Sequence, residues 1–499
     1  MTTLIPKFKQ SLTGAVNRAI NFKLAEIVSI KDFGAVGDGT TDDTVAIQTA
    51  LNNAGCIYIP PGVYKTTTIL TVPEGVGIKG DSADTSVIRP TGCDGLSFSN
   101  SNAIGPVPIE DFWIYGDAAS ANTAIKVLGD ATTASRVTGL RINRLRIQNF
   151  RDAINLRSTW NSSITNCIIY HNIFGIVIRG QCVKIDIHNN YIEHNLLGSV
   201  TPTATGIFVL STFDYDPSAS TERRPEDIQI HQNLVYGFVY GCQLSNGLFL
   251  TANNNDFDGT TLTGIVIGSV GGTLNVNENW IGLVGATPGN GIETIALGAL
   301  ANKVTNISGN EINSINPANI GIYIFTRQNN TNVLNNNISN FSQDINLQNC
   351  GNIVVKGNLC RSVGGDSIYV IGSTAATIIE IENNTTAGNL YLHPTANNAQ
   401  IVLGQNDGLG STYIRGKSVI AAGTTTVTTT YASLTSTPPD FQAAGVGYIL
   451  PKLFLQTPAA NIGFVYGTAS TSQVVINCSS APVADLTIYW EVKGFAYAL

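Results

Sequence analysis

The sequence predicts an all-β chain built mainly as a solenoid, on three observations. First, nine segments repeat an Asn, any residue and then an apolar residue, starting at Asn143, Asn166, Asn190, Asn233, Asn255, Asn279, Asn310, Asn336 and Asn358. Most successive starts lie 22 to 26 residues apart, with two longer intervals of 31 and 43. A period in this range marks stacked units, each too small to bury its own apolar face. Second, short stretches of alternating polarity flank each Asn, which is the periodicity of strands rather than helices. Third, the composition suits many tight turns: charged residues are 12%, Gly numbers 50 and Met only 1. Small and αL-tolerant residues are what such turns require.

The chain has 499 residues, more than a single ordinary core needs, and a solenoid absorbs that length without separate globular domains. The net charge of −7 offers no basic stripe for nucleic acid. No apolar run is long enough to span a bilayer. The first residues, MTTLIPKFKQSLTG, lack the continuous apolar segment of a secretion signal, so synthesis and folding in a cytoplasm are expected. The eight cysteines, at 56, 93, 167, 182, 242, 350, 360 and 478, show no zinc-type spacing and read as buried free thiols. No EF-hand or Gly-Gly-x-Gly-x-Asp calcium repeat is present. Neither a metal nor a cofactor is expected.

Residues 1–27 read as a short amphipathic helix or an extended arm, with Val16, Ile20, Leu24 and Ile27 at helical spacing. Residues 28–39, VSIKDFGAVGDG, lead into TTDDTVAIQTAL, where Thr40 or Thr41 is placed to cap a helix with Asp42 and Asp43 in its first turn. Asp32, Asp38, Asp42 and Asp43 are expected to serve caps and turns. CIYIPPGVYKT, TILTVPEGVGIKGD and SVIRP follow as short strands with Gly and Pro turns.

The run VSIKDFGAVGDGTTDDTVAIQTAL followed by IYIPPGVYK resembles the lead-in segment of the pectate-lyase-like right-handed parallel β-helix superfamily, and in particular that of bacteriophage tailspikes, which are trimeric polysaccharide depolymerases. The motif covers about residues 28–65, and the Asn repeat carries the same fold to about residue 390. The resemblance implies a right-handed parallel β-helix over 28–405 behind a 1–27 arm. Residues 406–499, Thr-rich and alternating, read as antiparallel strands. The resemblance makes them a β-sandwich-like trimerisation or binding domain. It also implies a homotrimer in the virion tail that acts extracellularly at the host surface, with the arm docking onto another tail protein.

With each Asn as position zero, position two is apolar: Leu145, Ile168, Ile192, Val235, Phe257, Ile281, Ile312, Ile338 and Cys360. Positions one and three should then point outward. That sets Tyr191 and Glu193, Leu234 and Tyr236, Asp256 and Asp258, Trp280 and Gly282, and Glu311 and Asn313 on one face. Glu193 and Asp258 share position three with one coil between them, so their backbones should lie roughly 10 Å apart. An inverting glycosidase needs its carboxyls about 6.5 to 9.5 Å apart to admit a water. Asp256 beside Asp258 supplies the like-charge crowding that keeps an acid protonated. Tyr191, Tyr236 and Trp280 offer aromatic faces to sugar rings, with Glu311 as a further polar contact. The opposing readings are that Asp256 and Asp258 are ordinary turn residues, that Glu193 is a solvated outer-face side chain, and that His194 is buried or exposed without a catalytic part.

The longest interval holds an insertion, STFDYDPSASTERRPED, with Asp214, Asp216, Glu222, Arg223, Arg224, Glu226 and Asp227. It reads either as a wall of the groove, binding sugar through Arg223 and Arg224, or as a solvated charged loop.

The leading functional expectation is a tailspike that hydrolyses a bacterial surface polysaccharide, O-antigen or capsule, with Glu193 and Asp258 as acid and base and Asp256 assisting. The alternatives are a polysaccharide lyase, using a base such as Tyr236 or an Arg, and a non-enzymatic carbohydrate-binding tail fibre.

Overall fold

The computed structural model describes residues 6–99, 106–117, 121–129, 136–194, 202–211, 223–285, 288–295, 304–325, 330–350, 352–362, 365–371, 377–392, 399–403, 406, 413–420, 426–430, 452–455, 465–469, 473–478 and 486–493. The chain divides into two compact units, Met1–Thr260 and Thr261–Leu499.

In the first unit the N-terminal arm pairs Lys7–Phe8 antiparallel with Arg18–Ala19. A five-residue helix, Ile20–Leu24, follows. Val16, Ile20 and Ile27 are exposed. Of the two readings, this is an extended arm with one short helical piece, and a helix so short is marginal without packing.

The lead-in segment is a chain of local caps. Ser29 accepts from the Lys31 N–H, and Asp32 accepts in return from the Ser29 N–H at 3.0 Å, closing a capping box on the Ile30–Phe33 turn. The next helix, Thr44–Asn53, starts later than a Thr40 or Thr41 cap would allow. Asp38–Asp42 is a strand instead. There Asp38 accepts from the Thr40 and Thr41 N–H groups at 2.8 and 2.7 Å. Asp42 accepts from Thr44 N, and Asp43 folds back to accept from Val36 and Gly37 N–H. The four acids therefore serve turns and the helix start. The helix buries Ile47, Ala50 and Leu51, and Gln48 bonds both backbone groups of Thr71 at 2.8 Å.

From there the unit is a right-handed parallel β-solenoid. A coil contributes two strands to a wide parallel sheet and one short strand to a narrow one, as in Phe174–Arg179, Val183–His188 and Tyr191–Glu193. In the narrow sheet Trp113–Tyr115, Arg146–Gln148, Ile168–Tyr170, Tyr191–Glu193, Leu234–Tyr236 and Asp256–Thr260 stack in parallel register. Their central residues, Ile114, Ile147, Ile169, Ile192, Val235 and Phe257, are wholly buried. Each contributes about 1.5–3 kcal/mol relative to exposure.

The corner ahead of each narrow strand explains the Asn repeat. A residue with positive φ comes first: Asn189 (56°), Gln232 (55°) and Asn254 (53°). The next residue, Asn190, Asn233 or Asn255, turns its amide inward. Asn190 N and Nδ2 both donate to Asn233 Oδ1, at 3.1 and 2.9 Å. Asn233 repeats this on Asn255 Oδ1 at 3.1 and 3.0 Å. The ladder satisfies buried amides that a sharp corner would otherwise orphan.

The first two repeat positions are corrected. Ile168 does not point inward: it is 47% exposed and pairs with Tyr191, while Ile169 fills the core. Leu145 and Cys167 take the place of the ladder Asn in these coils. Asn166 (φ 55°) and Arg144 (φ 51°) occupy the left-handed position before it. Asn suits both corner positions, so counting Asn alone slips the register by one or two residues.

In the second unit the same ladder runs through Asn279, Asn310, Asn336, Asn358, Asn384 and Asn406. Among the described residues the last parallel strand is Ala399–Leu403, paired with Thr377–Glu382. Beyond it Tyr413–Ile420 and Lys452–Leu455 flank Leu486–Lys493 antiparallel, and Thr426–Thr430 and Val465–Ala469 flank Gln473–Cys478. Cys167, Cys182, Cys242, Cys350 and Cys360 are buried free thiols; Cys56 is exposed and Cys93 half-buried.

Candidate active site

The site is built on three narrow strands of the first unit. In register, Glu193 lies beside Tyr236 and Tyr236 beside Asp258; Tyr191 lies beside Leu234 and Leu234 beside Asp256. The buried partners Ile192, Val235 and Phe257 alternate with these residues, so all six share the outer face. Glu193, Asp256 and Asp258 are half-buried, and Tyr191 and Tyr236 are 38% and 43% exposed. Asp256 and Asp258 belong to the Asp256–Thr260 strand, not to a turn. Two interstrand steps separate the Glu193 and Asp258 backbones, about 10 Å.

Local bonds orient the acids differently. The Tyr191 hydroxyl donates to Glu193 Oε2 at 2.7 Å, holding that carboxylate along its own strand. The same bond, with burial, pushes the Tyr191 hydroxyl up to about 12. Asp258 Oδ1 accepts from the Gly259 N–H at 2.6 Å. Gly259 has φ 63°, and a Cβ there would meet the Tyr236 ring at 2.9 Å. Its lack of a side chain lets that ring lie over the Asp258 strand. Among the described residues, Asp256 Oδ1 is buried without a hydrogen-bond partner. Burial first, and the nearby Asp258 second, raise the Asp256 carboxyl above the usual carboxylate range. The face therefore carries a carboxylate fixed by a tyrosine, a second fixed by a backbone amide, and a third that retains a proton more readily.

His194 closes the strand on the inside. It is buried, its Nδ1 donates to the Asn172 carbonyl at 2.7 Å, and its ring packs on Phe238. Burial lowers its pKa.

The remaining candidates belong to other elements. Trp280 and Glu311 are neighbours in one column of the second unit, both exposed on their own face. Arg223 and Arg224 precede the wide-sheet strand Glu226–His231, and Arg223 Nη1 donates to Gln181 Oε1 at 3.2 Å. That six-residue strand, about 20 Å long, lies between them and the corner leading to Tyr236. Asp214, Asp216 and Glu222 lie outside the described residues. Among the described residues no group of three or more His, Cys, Asp or Glu is arranged to hold a metal ion. No helix among them is long and apolar enough to cross a membrane.

Residues missed by counting Asn lie on the same outer face one to three strands earlier: Tyr170, Arg146 and Trp113. The triplets WIY, RIQ, IIY, YIE, LVY and DFD, each with an apolar centre, would have found them without any Asn.

Comparison with known proteins agrees with this architecture. Residues 27–170 match the family model described as rhamnogalacturonase A/epimerase, pectate lyase-like. The chain is 24% identical over 287 residues to the tail spike protein of Shigella phage Sf6, covering 55% of this chain and 45% of that one. It is 25% identical over 189 residues to a probable rhamnogalacturonase C of Aspergillus flavus, covering 31% and 42%. The chain thus spans less than half the length of these relatives. Among solved structures, a tailspike mutant of E. coli bacteriophage HK620 in complex with a pentasaccharide superposes with a TM-score of 0.58 at 13% identity, over 98% of this chain and 97% of that one. The chain has a right-handed parallel β-helix fold, is similar over residues 27–170 to the pectate-lyase-like family, and is similar in sequence to phage tail spike proteins.

Proposed function

We propose that this chain is a phage tail receptor-binding protein that hydrolyses glycosidic bonds of a bacterial surface polysaccharide, O-antigen or capsule. The observation that carries this reading is the Glu193–Tyr236–Asp258 column, two carboxyls two coils apart on an outer face with tyrosines between and beside them. Its spacing suits an inverting displacement, in which a water fits between carboxyls about 6.5–9.5 Å apart, better than a retaining one at about 5–5.5 Å. Glu193 and Asp258 act as the acid and base pair. Asp256 holds the additional proton and limits the charge that accumulates beside Asp258. Tyr191 keeps Glu193 in place, and Tyr236 offers a ring face to the sugar between the acids. In the second unit Trp280 and Glu311 serve as a further sugar platform.

The likeness to tail spike proteins supports placement in the virion tail, acting outside the host cell as a homotrimer. In this reading the exposed apolar residues of the arm, Phe8, Leu12 and Val16, dock it onto another tail protein, and the strands after residue 405 join the subunits.

The test is reducing-end release from a panel of bacterial polysaccharides. Glu193→Gln or Asp258→Asn should lower turnover about 100-fold or more. Near-full turnover by Glu193→Gln would overturn the assignment. Absorbance from an unsaturated product would establish the lyase alternative, and an intact polymer after long incubation the binding fibre.

A further inference from the structure

Followed towards the N-terminus, the outer face of the narrow sheet changes character. Ahead of Tyr191 its column reads Trp113, Arg146 and Ile168, and ahead of Glu193 it reads Tyr115, Gln148 and Tyr170. Acids give way to a cation held between rings. The Arg146 guanidinium lies 4.3 Å from the centroid of Trp113 and 5.0 Å from that of Tyr170. Its Nε donates to the Tyr170 hydroxyl at 2.8 Å. Arg89 lies over Tyr115, whose ring packs on Trp113 at 5.1 Å. The one carboxylate paired with Arg146 among the described residues is Asp84, at 3.4 Å through Nη1 and with its side chain 83% exposed.

We propose that this patch is a distal subsite for an acidic sugar, a uronate or another carboxylate-bearing unit of the same polysaccharide that reaches the acids. The inference rests on the reading that this face binds a polysaccharide, and it adds the substrate's charge class. The guanidinium presents a planar fork that matches a carboxylate. Stacking on two rings fixes that fork in advance, so little side-chain entropy is lost on binding. Asp84 occupies the ligand's place loosely, since an exposed ion pair is worth about 0–1 kcal/mol and yields to a better-placed anion. Aromatic rings beside the cation supply the apolar surface a pyranose face needs.

The spacing explains how an acidic face tolerates an acidic polymer. Arg146 stands two strand steps from Tyr191 and four from Asp256, about 10 and 19 Å. Both distances exceed the Debye length of about 8 Å at physiological salt, so a carboxylate at Arg146 is screened from the acids. The face thus selects a repeating unit with a neutral sugar at Glu193 and a charged one a few sugars away. It also sets Arg146 too far off to neutralise a uronate at the cleavage point, as a lyase requires.

The experiment uses the full chain and a panel of uronate-containing capsular polysaccharides, each also after carboxyl reduction to its neutral form. Binding and reducing-end release are measured separately. At least one acidic polymer should bind, about tenfold or more weakly once reduced, with the same loss on Arg146→Gln. Asp84→Asn should tighten binding by up to about fivefold, by removing the competing anion. Equal binding of the reduced polymer, unchanged affinity of folded Arg146→Gln, or binding to no acidic polymer would overturn the proposal. If Arg146→Gln fails to fold, the carboxyl-reduction arm decides alone. Charge-dependent binding without cleavage would sink the hydrolase and leave this subsite standing; cleavage indifferent to reduction would do the reverse.

Discussion

The inside corner and the outside face of the solenoid are one residue apart in sequence and obey opposite rules. Asn190, Asn233 and Asn255 repeat one residue type, and the Asn190 and Asn233 amides each donate to the Asn of the next coil. The neighbours just after them, Tyr191, Leu234 and Asp256, change type at every coil, and one ends with a buried oxygen that has no partner among the described residues. A repeated position is one where stacking decides the residue. A varied position on the same scaffold is one that stacking leaves open to chemistry.

The sharpest way to break this contrast is to exchange the costs. Glu193→Gln and Asp258→Asn change no core contact, so turnover should fall about 100-fold or more while the unfolding free energy stays within about 0.5 kcal/mol of wild type. Asn233→Ala should do the opposite. It removes the acceptor of Asn190 N and the donor to Ile187 O, both buried. A loss of about 2–3 kcal/mol is expected in denaturant unfolding, with turnover preserved well below the transition. If Asn233→Ala abolishes turnover at full stability, or Glu193→Gln costs stability alone, corner and face are not separable.

The fold was legible because the corner is periodic, and the acids were legible because the register from Asn190 onward is the register of the ladder. The failures share one cause. Asn166 and Asn143 belong to the same corners but not to the ladder position, which Cys167 and Leu145 fill with apolar atoms instead. Composition cannot separate an Asn chosen for φ near +55° from one chosen for its amide. Arg146 and Trp113 were missed with them. The pairing of Arg223 with Gln181 lay beyond reach for another reason: an insertion shows between which repeats it falls, not at which corner of the coil it leaves.

The interior of the second unit holds an exception that sharpens the rule. Asp344 is fully buried and accepts from the Ser362 hydroxyl, and burial raises its carboxyl to about 7. An acid raised in the folded state makes the native protein bind the proton that the unfolded chain has released. Stability should therefore fall as pH rises from about 4 to about 7 and level off above. Asp344→Asn, which removes the charge, should stabilise the protein by about 1–3 kcal/mol at pH 8 and by much less near pH 4. Thermal unfolding at the two pH values measures this; equal effects at both would place the Asp344 charge outside the native state's energetics.

The smallest expected effect tests whether backbone shape on the outer face serves a side chain. Gly259 adopts φ 63°, where a non-Gly residue is disfavoured, and an added Cβ would press on Tyr236 Cε2 at 2.9 Å. Gly259→Ala should cost about 1 kcal/mol from the left-handed backbone alone. The ring is mostly free at its outer edge, so it can swing away rather than strain the core. Moving it withdraws the proposed sugar platform between Glu193 and Asp258 while leaving both acids on their strands. Turnover should then fall several-fold, chiefly through KM, and Tyr236→Ala in the same background should add little, because the two changes remove one contact. Full additivity of the two substitutions would show that Gly259 is there for the turn of its own strand and not for the tyrosine.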